Sequence, residues 1–211
     1  MRDIVIIGAG GFGREVQWLI QEINDHKLEW NFIGFVDDYV DVGTMINGSQ
    51  VVGDIDWLMN QKLNVVCAIG DPNTKKKVLS RLKTSSNVYP VLVHPDVRKS
   101  NSVQFGEGCI ICSGCILTVN IIIGKHVIIN LDSTVGHDAI IGDYSTILPS
   151  VNVSGHVRIE DEVSVGTGSK IIQEVSVGKN TIIGAGAVVT KDIPENVVAV
   201  GMPAKPIKTR E

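Results

Sequence analysis

The sequence predicts an α/β N-terminal domain followed by an all-β parallel β-helix. From residue 103 to residue 192, the chain divides into fifteen blocks of six residues whose third residue is always apolar. A period of six fits neither an amphipathic helix nor an alternating strand, but it is the period of stacked short strands. Before this stretch, strand-like runs alternate with helical patterns, which predicts a small parallel sheet.

The physical basis of the repeat is that three blocks form one triangular coil. Residues eighteen apart then stack at about 4.8 Å, and fifteen blocks make about five coils. Stacking buries a continuous apolar column and pairs the backbone of one coil with the next. An antiparallel sandwich does not hold one register for so long. In seven blocks, glycine follows the third residue, where we expect a corner with positive φ: Gly106, Gly124, Gly136, Gly142, Gly166, Gly178 and Gly184.

The composition of the chain limits its function class. The 211 residues are 44% hydrophobic and 20% charged, which is typical of a globular protein of one or two domains. A formal net charge of -4 gives no basis for a nucleic-acid partner. No apolar run approaches the ~18 residues of a membrane span, and the N-terminus leads directly into a strand-like run instead of a signal peptide. We therefore expect a cytosolic protein with no membrane span.

Three cysteines follow the spacing C-x-x-C-x-x-C. Cys109, Cys112 and Cys115 would suggest an iron–sulfur or zinc site in another setting. Here Cys109 and Cys115 occupy the first position of their blocks and Cys112 follows the apolar third position. We therefore interpret them as small packing residues and assign no metal site.

The first ninety residues follow a strand, turn and helix pattern. An apolar run precedes a glycine-rich turn, and a helical pattern with one apolar face follows it. Asp71 and Pro72 are a capping pair that predicts a further helix. The predicted strands are 4–7, 32–36 and 65–69, and the apolar face of the first helix carries Val16, Leu19, Ile20 and Ile23.

The glycine-rich turn matches G-x-G-x-x-G at Gly8, Gly10 and Gly13, and Asp37 and Asp38 follow the next predicted strand. This motif permits close approach to a pyrophosphate at a helix N-terminus. The segment is only a Rossmann-like half domain, about half the length of a full dinucleotide domain. A nucleotide-sugar, which needs one nucleoside pocket, is therefore favoured over NAD(P), and a structural glycine turn remains the alternative.

The predicted domains are residues 1–90, a sugar-nucleotide-binding domain, and residues 91–211, the β-helix with its C-terminal tail. The linker is predicted at 89–95, where two prolines disfavour a helix.

One histidine of the repeat differs from its neighbours in position. His126 and His156 occupy the sixth position of their blocks, whereas His137 occupies the fifth. Gly155 lies eighteen residues after His137, so no side chain is expected above this imidazole. A histidine there can accept the proton of an attacking amine or hydroxyl. Asp138 is a candidate partner for His137, although the same stacking places it below His156.

Three motifs carry a family resemblance: IVIIGAGGFGREV near the N-terminus, NLDSTVGHDAIIGDYS in the centre and IIGAGAVVTKDIPENVVAVGMPAKPI at the end. With these motifs, the chain resembles the left-handed β-helix acyltransferases of the sialic acid O-acetyltransferase and nucleotide-amino-sugar N-acetyltransferase group. The resemblance implies a homotrimer, acetyl-coenzyme A as the donor, and active sites between adjacent prisms. It also implies that the N-terminal domain binds a nucleotide-sugar or a related sugar.

The resemblance also implies roles for individual residues. His137 would be the general base and Asp138 its partner. The residues expected near acetyl-coenzyme A are Gly155, Thr167, Ala185, Pro203, Ala204 and Lys205. The residues expected near the sugar substrate are Gly8, Gly10, Gly11, Phe12, Gly13, Asp37, Asp38 and Asn130. Two positions depart from the pattern, because some relatives carry histidine at Phe12 and at Thr146.

The leading hypothesis is acetyl transfer from acetyl-coenzyme A to an amine or hydroxyl of a sugar, in bacterial surface-glycan biosynthesis. A nucleotide-linked amino-sugar is the favoured acceptor. The alternatives are O-acetylation of free sialic acid and a non-catalytic trimeric module that binds a nucleotide-sugar. A metal-dependent γ-type carbonic anhydrase is disfavoured, because no two of the five histidines are five residues apart.

Overall fold

The structure is a computed structural model that describes residues 1–210. Its N-terminal part is a five-stranded sheet with the strand order β3-β4-β2-β1-β5, parallel except for the β3–β4 pair. The elements are β1 (Arg2–Ile7), α1 (Gly11–His26), β2 (Trp30–Val36), β3 (Met45–Ile46), β4 (Ser49–Gly53), α2 (Ile55–Met59), β5 (Asn64–Cys67) and α3 (Pro72–Arg81).

The predicted strand, turn and helix are confirmed by β1, the glycine turn and α1. Gly13 is buried, and a Cβ there would overlap the Gly8 carbonyl oxygen, so only glycine fits where α1 crosses β1. The predicted cap of α3 is also present, because Asp71 Oδ1 accepts a hydrogen bond from Thr74 N at 2.8 Å. The β3–β4 hairpin and α2 are too short to show a hydrophobic period, and the sequence interpretation missed them.

The remainder of the chain is a left-handed parallel β-helix built from two-residue strands. Three sheets form the faces of a prism, and each strand pairs with the strand eighteen residues later. The first face contains β6 (Leu92–Val93), β9 (Ile110–Ile111), β12 (Ile128–Ile129), β15 (Thr146–Ile147), β18 (Ser164–Val165) and β21 (Ile182–Ile183). The second face contains β7 (Arg98–Lys99), β10 (Ile116–Leu117), β13 (Thr134–Val135), β16 (Asn152–Val153), β19 (Lys170–Ile171) and β22 (Val188–Val189). The third face contains β8 (Gln104–Phe105), β11 (Ile122–Ile123), β14 (Ile140–Ile141), β17 (Arg158–Ile159) and β20 (Ser176–Val177).

The seventeen strands make five complete coils and two strands of a sixth, compared with the expected five. The additional strands are β6 and β7, because the repeat begins before Val103. The linker prediction is therefore wrong for Leu92–Val93, which pairs with Ile110–Ile111 as part of the first face. An antiparallel hairpin, β23 (Val197–Gly201) and β24 (Ala204–Thr209), closes the stack by pairing β23 with β21.

The apolar column forms as expected, because the third-position side chains from Ile111 to Val189 are all buried in one core.

The prediction of positive φ at the fourth-position glycines is wrong. The left-handed residues occupy the sixth position instead, as in Asp138 at φ 59°. The fourth-position glycines serve close packing, because a Cβ on Gly136 would lie 2.6 Å from the Gly155 nitrogen in the next coil.

The N-terminal domain packs against the first face of the prism. Leu92, Ile110 and Ile128 point outward from this face and share a buried core with residues of β1 and α1. At the corner between the third and first faces, Lys76 Nζ of α3 forms an ion pair with Glu162 Oε1 at 2.6 Å. A domain boundary near residue 90 stays a prediction. Within residues 1–210, no helix combines the length and hydropathy that crossing a bilayer requires.

Candidate active site

His137 and Asp138 occupy the corner between the second and third faces. Nδ1 of His137 donates a hydrogen bond to Oδ2 of Asp138 at 2.8 Å. Asn120, one coil earlier, donates from Nδ2 to Oδ1 of Asp138 at 3.1 Å. Nε2 of His156 lies 3.6 Å from the same Oδ2, beyond hydrogen-bonding distance. The carboxylate is therefore the partner of His137 and not of His156.

The electrostatics of this pair favour a basic Nε2 on His137. The hydrogen bonds from His137 and Asn120 hold the pKa of Asp138 below its ordinary value, so the carboxylate is ionised at neutral pH. An ionised carboxylate beside Nδ1 favours the tautomer with its proton on Nδ1, which leaves a lone pair on Nε2. The His137 side chain is 54% exposed, so an acceptor can reach that lone pair.

Gly155 lies directly above the imidazole, as the eighteen-residue offset predicts. A Cβ on Gly155 would lie 2.5 Å from both Cε1 and Nε2 of His137. At the corner between the third and first faces, the amides of Lys125 and Asp143 are occupied by aspartates one coil later, Asp143 and Asp161. Among residues 1–210, no such group accepts a hydrogen bond from the Gly155 amide. Gly155 is itself buried, so its amide has no protein acceptor among the described residues and lies beside the imidazole of His137.

The structure adds two residues to this corner. His156 lies edge-on to His137, with ring centroids 5.0 Å apart and planes at 87°. Asn120 holds the second oxygen of Asp138. The sequence interpretation missed Asn120, although the eighteen-residue offset before Asp138 would have identified it.

Apart from Gly155, the residues predicted near coenzyme A lie elsewhere in the chain. Thr167 and Ala185 are exposed and stacked at the corner between the first and second faces. Pro203, Ala204 and Lys205 lie in and beside the closing hairpin. One chain therefore does not bring these residues together with His137.

Two further positions are buried and lie away from His137. Asn130 is at the corner between the first and second faces, where its Oδ1 accepts a hydrogen bond from Leu131 N at 2.7 Å. Thr146, where some relatives carry histidine, is in β15 beneath the N-terminal domain, and its hydroxyl accepts a hydrogen bond from Lys75 Nζ at 3.0 Å. Thr146 therefore does not face the base within one chain.

The N-terminal domain contains a cleft of about 480 Å³ beside the ends of β1 and β2, lined in part by Gly8, Asp37, Asp38, Lys77 and Arg81. Gly8 and both predicted acids therefore share one cavity. The remaining predicted residues belong to the turn into α1: Gly10 and Gly11 are exposed, Phe12 is half-buried against the domain core, and Gly13 is a packing residue.

Both acids of the cleft are held by protein donors. Asp37 accepts hydrogen bonds from the amides of Ala9 and Tyr39, each at 2.9 Å. Asp38 accepts one from Ile55 N at 3.0 Å and forms an ion pair with Arg81. Burial opposes the charge on Asp38, but this amide and the guanidinium outweigh it and hold the pKa of the carboxyl below its ordinary value.

The three prism cysteines are packing residues, as predicted. Cys109, Cys112 and Cys115 are buried and unbridged. Burial raises the pKa of Cys109 and Cys112 to about 12 and that of Cys115 to about 11. All three are therefore protonated thiols at neutral pH, and a thiolate is the form that binds metal.

A left-handed β-helix with an acid-paired corner histidine and an N-terminal α/β domain defines the class of hexapeptide-repeat acyltransferases. Residues 3–82 match the family described as "PglD N-terminal domain". Residues 156–191 match the family described as "Bacterial transferase hexapeptide (six repeats)". GDP-perosamine N-acetyltransferase of Escherichia coli O157:H7 is 33% identical over 212 residues, covering 96% of this chain and 95% of the relative.

Solved structures extend this similarity over both domains. The acetyltransferase domain of PglB from Neisseria gonorrhoeae FA1090, in complex with acetyl coenzyme A, is 30% identical with a TM-score of 0.87, covering 98% of this chain and 99% of that one. PerB from Caulobacter crescentus, in complex with CoA and GDP-perosamine, is 30% identical with a TM-score of 0.88, covering 97% of each chain.

The chain therefore belongs to the left-handed β-helix acyltransferases of the sialic acid O-acetyltransferase and nucleotide-amino-sugar N-acetyltransferase family. Membership confirms the predicted fold, the class of acetyl-coenzyme A-dependent sugar N- or O-acetyltransferase, and acetyl-coenzyme A as the donor.

Proposed function

We propose that the protein transfers the acetyl group of acetyl-coenzyme A to the amine of a nucleotide-linked amino-sugar, with His137 as general base. The observation that carries this proposal is the hydrogen-bonded His137–Asp138 pair lying open beneath Gly155. We place the reaction in the cytoplasm, within bacterial surface-glycan biosynthesis. The relatives named GDP-perosamine N-acetyltransferase and bound to GDP-perosamine support an amino-sugar acceptor.

The chain's own residues account for the proton movements of this reaction. As the acceptor nitrogen forms a bond to the acetyl carbon, Nε2 of His137 accepts the proton that the amine loses. Asp138 stabilises the resulting imidazolium through Nδ1, and we assign the Gly155 amide as the donor to the carbonyl oxygen as it gains charge. When the carbon–sulfur bond breaks, His137 returns the proton to the leaving sulfur.

The N-terminal cleft is the proposed site of the nucleotide. Its volume of about 480 Å³ lies in the usual range for a small-molecule pocket. Lys77 supplies positive charge for a diphosphate, whereas Arg81 is ion-paired with Asp38 and Asp56. Gly8 at φ 96° lets the backbone approach a diphosphate closely. Asp37 and Asp38 are already bonded to protein donors, so we assign them to shaping the cleft as well as to contacting the nucleoside.

A homotrimer would complete the site. Thr167, Ala185 and Asn130 lie at a different corner of the prism from His137. We propose that adjacent prisms join these two corners, so that one subunit supplies the base and its neighbour supplies residues for the pantetheine arm and the acceptor. The closing hairpin with Pro203, Ala204 and Lys205 would then border coenzyme A, with the lysine near a phosphate.

The test is a turnover assay with uridine-, thymidine- and guanosine-diphosphate amino-sugars, compared with free sialic acid. We expect acetylation of one amino-sugar nucleotide and little of the free sugar acid. Replacing His137 with Gln should lower turnover by about 10²- to 10⁴-fold while the trimer persists in sedimentation. His26→Gln, on an exposed histidine at the end of α1, is the matched control. Near-normal turnover of the His137 variant would reject the base assignment, and nucleotide binding without turnover of any acceptor would favour the non-catalytic module.

A further inference from the structure

A second imidazole, that of His156, faces the carboxylate that orients the base. Oδ2 of Asp138 lies 2.8 Å from Nδ1 of His137 and 3.6 Å from Nε2 of His156. One ligand atom from each of the three side chains lies within 4.8 Å of the other two. The proposed reaction uses His137 and Asp138 but assigns no role to His156.

The arrangement fits the ligand set of a transition-metal ion. Zinc binds imidazole nitrogen and carboxylate oxygen at about 2.0–2.2 Å, so two tetrahedral ligand atoms lie about 3.3 Å apart. The distances from the Asp138 oxygen to the two nitrogens, 2.8 and 3.6 Å, bracket that value. The two histidine nitrogens lie within 4.8 Å of each other, so the imidazoles must turn towards one ion. Both histidine side chains are 54% exposed, which leaves room for that rotation.

The surrounding contacts already hold the three ligands in place. Asn120 occupies Oδ1 of Asp138, which directs Oδ2 between the two imidazoles. The amide of His156 donates to the carbonyl oxygen of His137 at 2.8 Å, so the backbone fixes the spacing of the two histidines. The left-handed conformation of Asp138 and His156, at φ 59° and 56°, repeats from one coil to the next.

We propose that His137, Asp138 and His156 form a binding site for Zn²⁺ or a similar divalent transition-metal ion, and that the bound ion blocks acetyl transfer. Metal binding is independent of the proposed function, whereas the block rests on it. The ion replaces the proton on Nδ1 of His137, and that proton moves to Nε2 of the same ring. Nε2 then has no lone pair for the acceptor, so the ion disables the base without displacing it.

The chemistry of the ligands also predicts which ions bind. Two imidazoles and one carboxylate suit Zn²⁺, Co²⁺, Ni²⁺ and Cu²⁺, whereas Mg²⁺ and Ca²⁺ prefer sites made of oxygen. Three protein ligands leave one coordination position for water.

The first test measures metal binding by the full-length protein without substrates. We expect calorimetry to show one Zn²⁺ per chain, and the visible spectrum of added Co²⁺ to report nitrogen ligation. His156→Gln should weaken binding at least about tenfold, and Asp138→Asn should do the same. His26→Gln should bind as the unmodified protein does. Equal affinity of the His156 variant and the unmodified protein would overturn the site, as would equally tight binding of Mg²⁺.

The second test measures the acetylated sugar directly, because Zn²⁺ binds the released thiol and would disturb a thiol assay. We expect Zn²⁺ to inhibit turnover and a chelator to restore it. Measured against its own turnover without metal, His156→Gln should lose sensitivity to Zn²⁺ by the same factor as its binding. Zinc binding at this site without loss of turnover would overturn the proposed block. If His137→Gln also retained turnover, the failure would lie in the base assignment and not in the metal site.

Discussion

The imidazole of His137 fits directly beneath Gly155 because Gly155 carries no side chain. A Cβ on Gly155 would lie 2.5 Å from Nε2 of His137, closer than two such atoms can approach. Gly155 does not have positive φ, so the backbone there tolerates an L-residue. The requirement for glycine at this position comes from the space that the imidazole of His137 occupies.

Replacing Gly155 with Ala should therefore lower turnover with little effect on folding. The added methyl group must displace the exposed imidazole, because the coil beneath it is fixed by backbone hydrogen bonds. We expect kcat to fall by roughly 10- to 100-fold, since general base catalysis depends on hydrogen-bond reach. Steady-state kinetics and a thermal melt test this together. Gly70→Ala is the control, because nothing lies within 4 Å of the added methyl group there; equal kinetics of the two variants would contradict the role of Gly155.

Replacing Asp138 with Asn tests whether the charge of the carboxylate is needed. The amide preserves the size of the side chain, but it donates or accepts at Nδ1 without negative charge, so it no longer favours the tautomer with a basic Nε2. We expect kcat to fall at least about tenfold with a smaller change in KM. Asn120→Ala should have a weaker effect in the same direction, because Asn120 only orients the carboxylate. Full activity of the Asp138 variant would mean that His137 acts without a charged partner.

His126 is a buried histidine with a structural role at the corner between the third and first faces. Its ring lies against Tyr89 and Tyr144, at centroid distances of 5.0 and 5.5 Å. Among the described residues, no group bonds to its buried Nδ1, and a Cβ on Gly108 would overlap that atom. Burial lowers the pKa of His126 from 6.5 to about 4.

Because of His126, the folded state should therefore be less stable in mild acid than at neutral pH. The pKa of His126 is lower in the folded state, so as the pH falls the unfolded chain takes up the proton before the folded chain does. The unfolding free energy therefore has its full value above pH 6.5 and decreases as the pH falls towards 4. The full shift corresponds to about 3–4 kcal/mol of unfolding free energy, of which about 2–3 kcal/mol is lost at pH 4.5. Urea titrations at pH 7.5 and 4.5 measure the loss. His126→Asn, which tolerates positive φ, should show a smaller difference between the two pH values, and an unchanged difference would contradict this assignment.

The sequence predicted most of the corner that contains His137, because one register relates every position of the prism. The eighteen-residue offset places Gly155 above His137 and His156 above Asp138. Atomic distances were needed to decide whether His137 or His156 is the partner of Asp138. The prediction of positive φ at Gly136 failed because a sequence period locates a corner but does not show which residue of that corner adopts the left-handed conformation.

The N-terminal cleft was less predictable. Arg81 reaches Asp38 from a helix more than forty residues later, and no local pattern links the two. Gly8 lines the cleft, but the spacing of the glycine motif did not distinguish it from Gly13, which allows α1 to pack on β1. Thr146, where some relatives carry histidine, lies beneath α3, and no local pattern predicted its contact with Lys75.

Lys75 of α3 is fully buried between the two domains, and replacing it should stabilise the protein. Its Nζ donates to Thr146 Oγ1 at 3.0 Å and to Ser145 O at 3.5 Å, and within the described part of the chain no carboxylate pairs with it. Burial lowers the pKa of Lys75 from 10.5 to about 8. The unfolded chain therefore holds this proton more tightly, and the cost of the buried charge disappears as the pH rises from 8 to 10.5.

Lys75→Met removes that cost and retains the length of the side chain. We expect an increase of about 1–2 kcal/mol in unfolding free energy at pH 7, because the relief of desolvation exceeds the loss of one hydrogen bond to Thr146. The advantage should shrink between pH 8 and 10.5, where the unmodified lysine loses its proton. Urea midpoints at pH 7 and 10 measure both effects. Lys83→Met, on an exposed lysine after α3, is the control. A Lys75 variant that is less stable at pH 7 and equally affected by pH would show that its hydrogen bonds outweigh the cost of burying its charge.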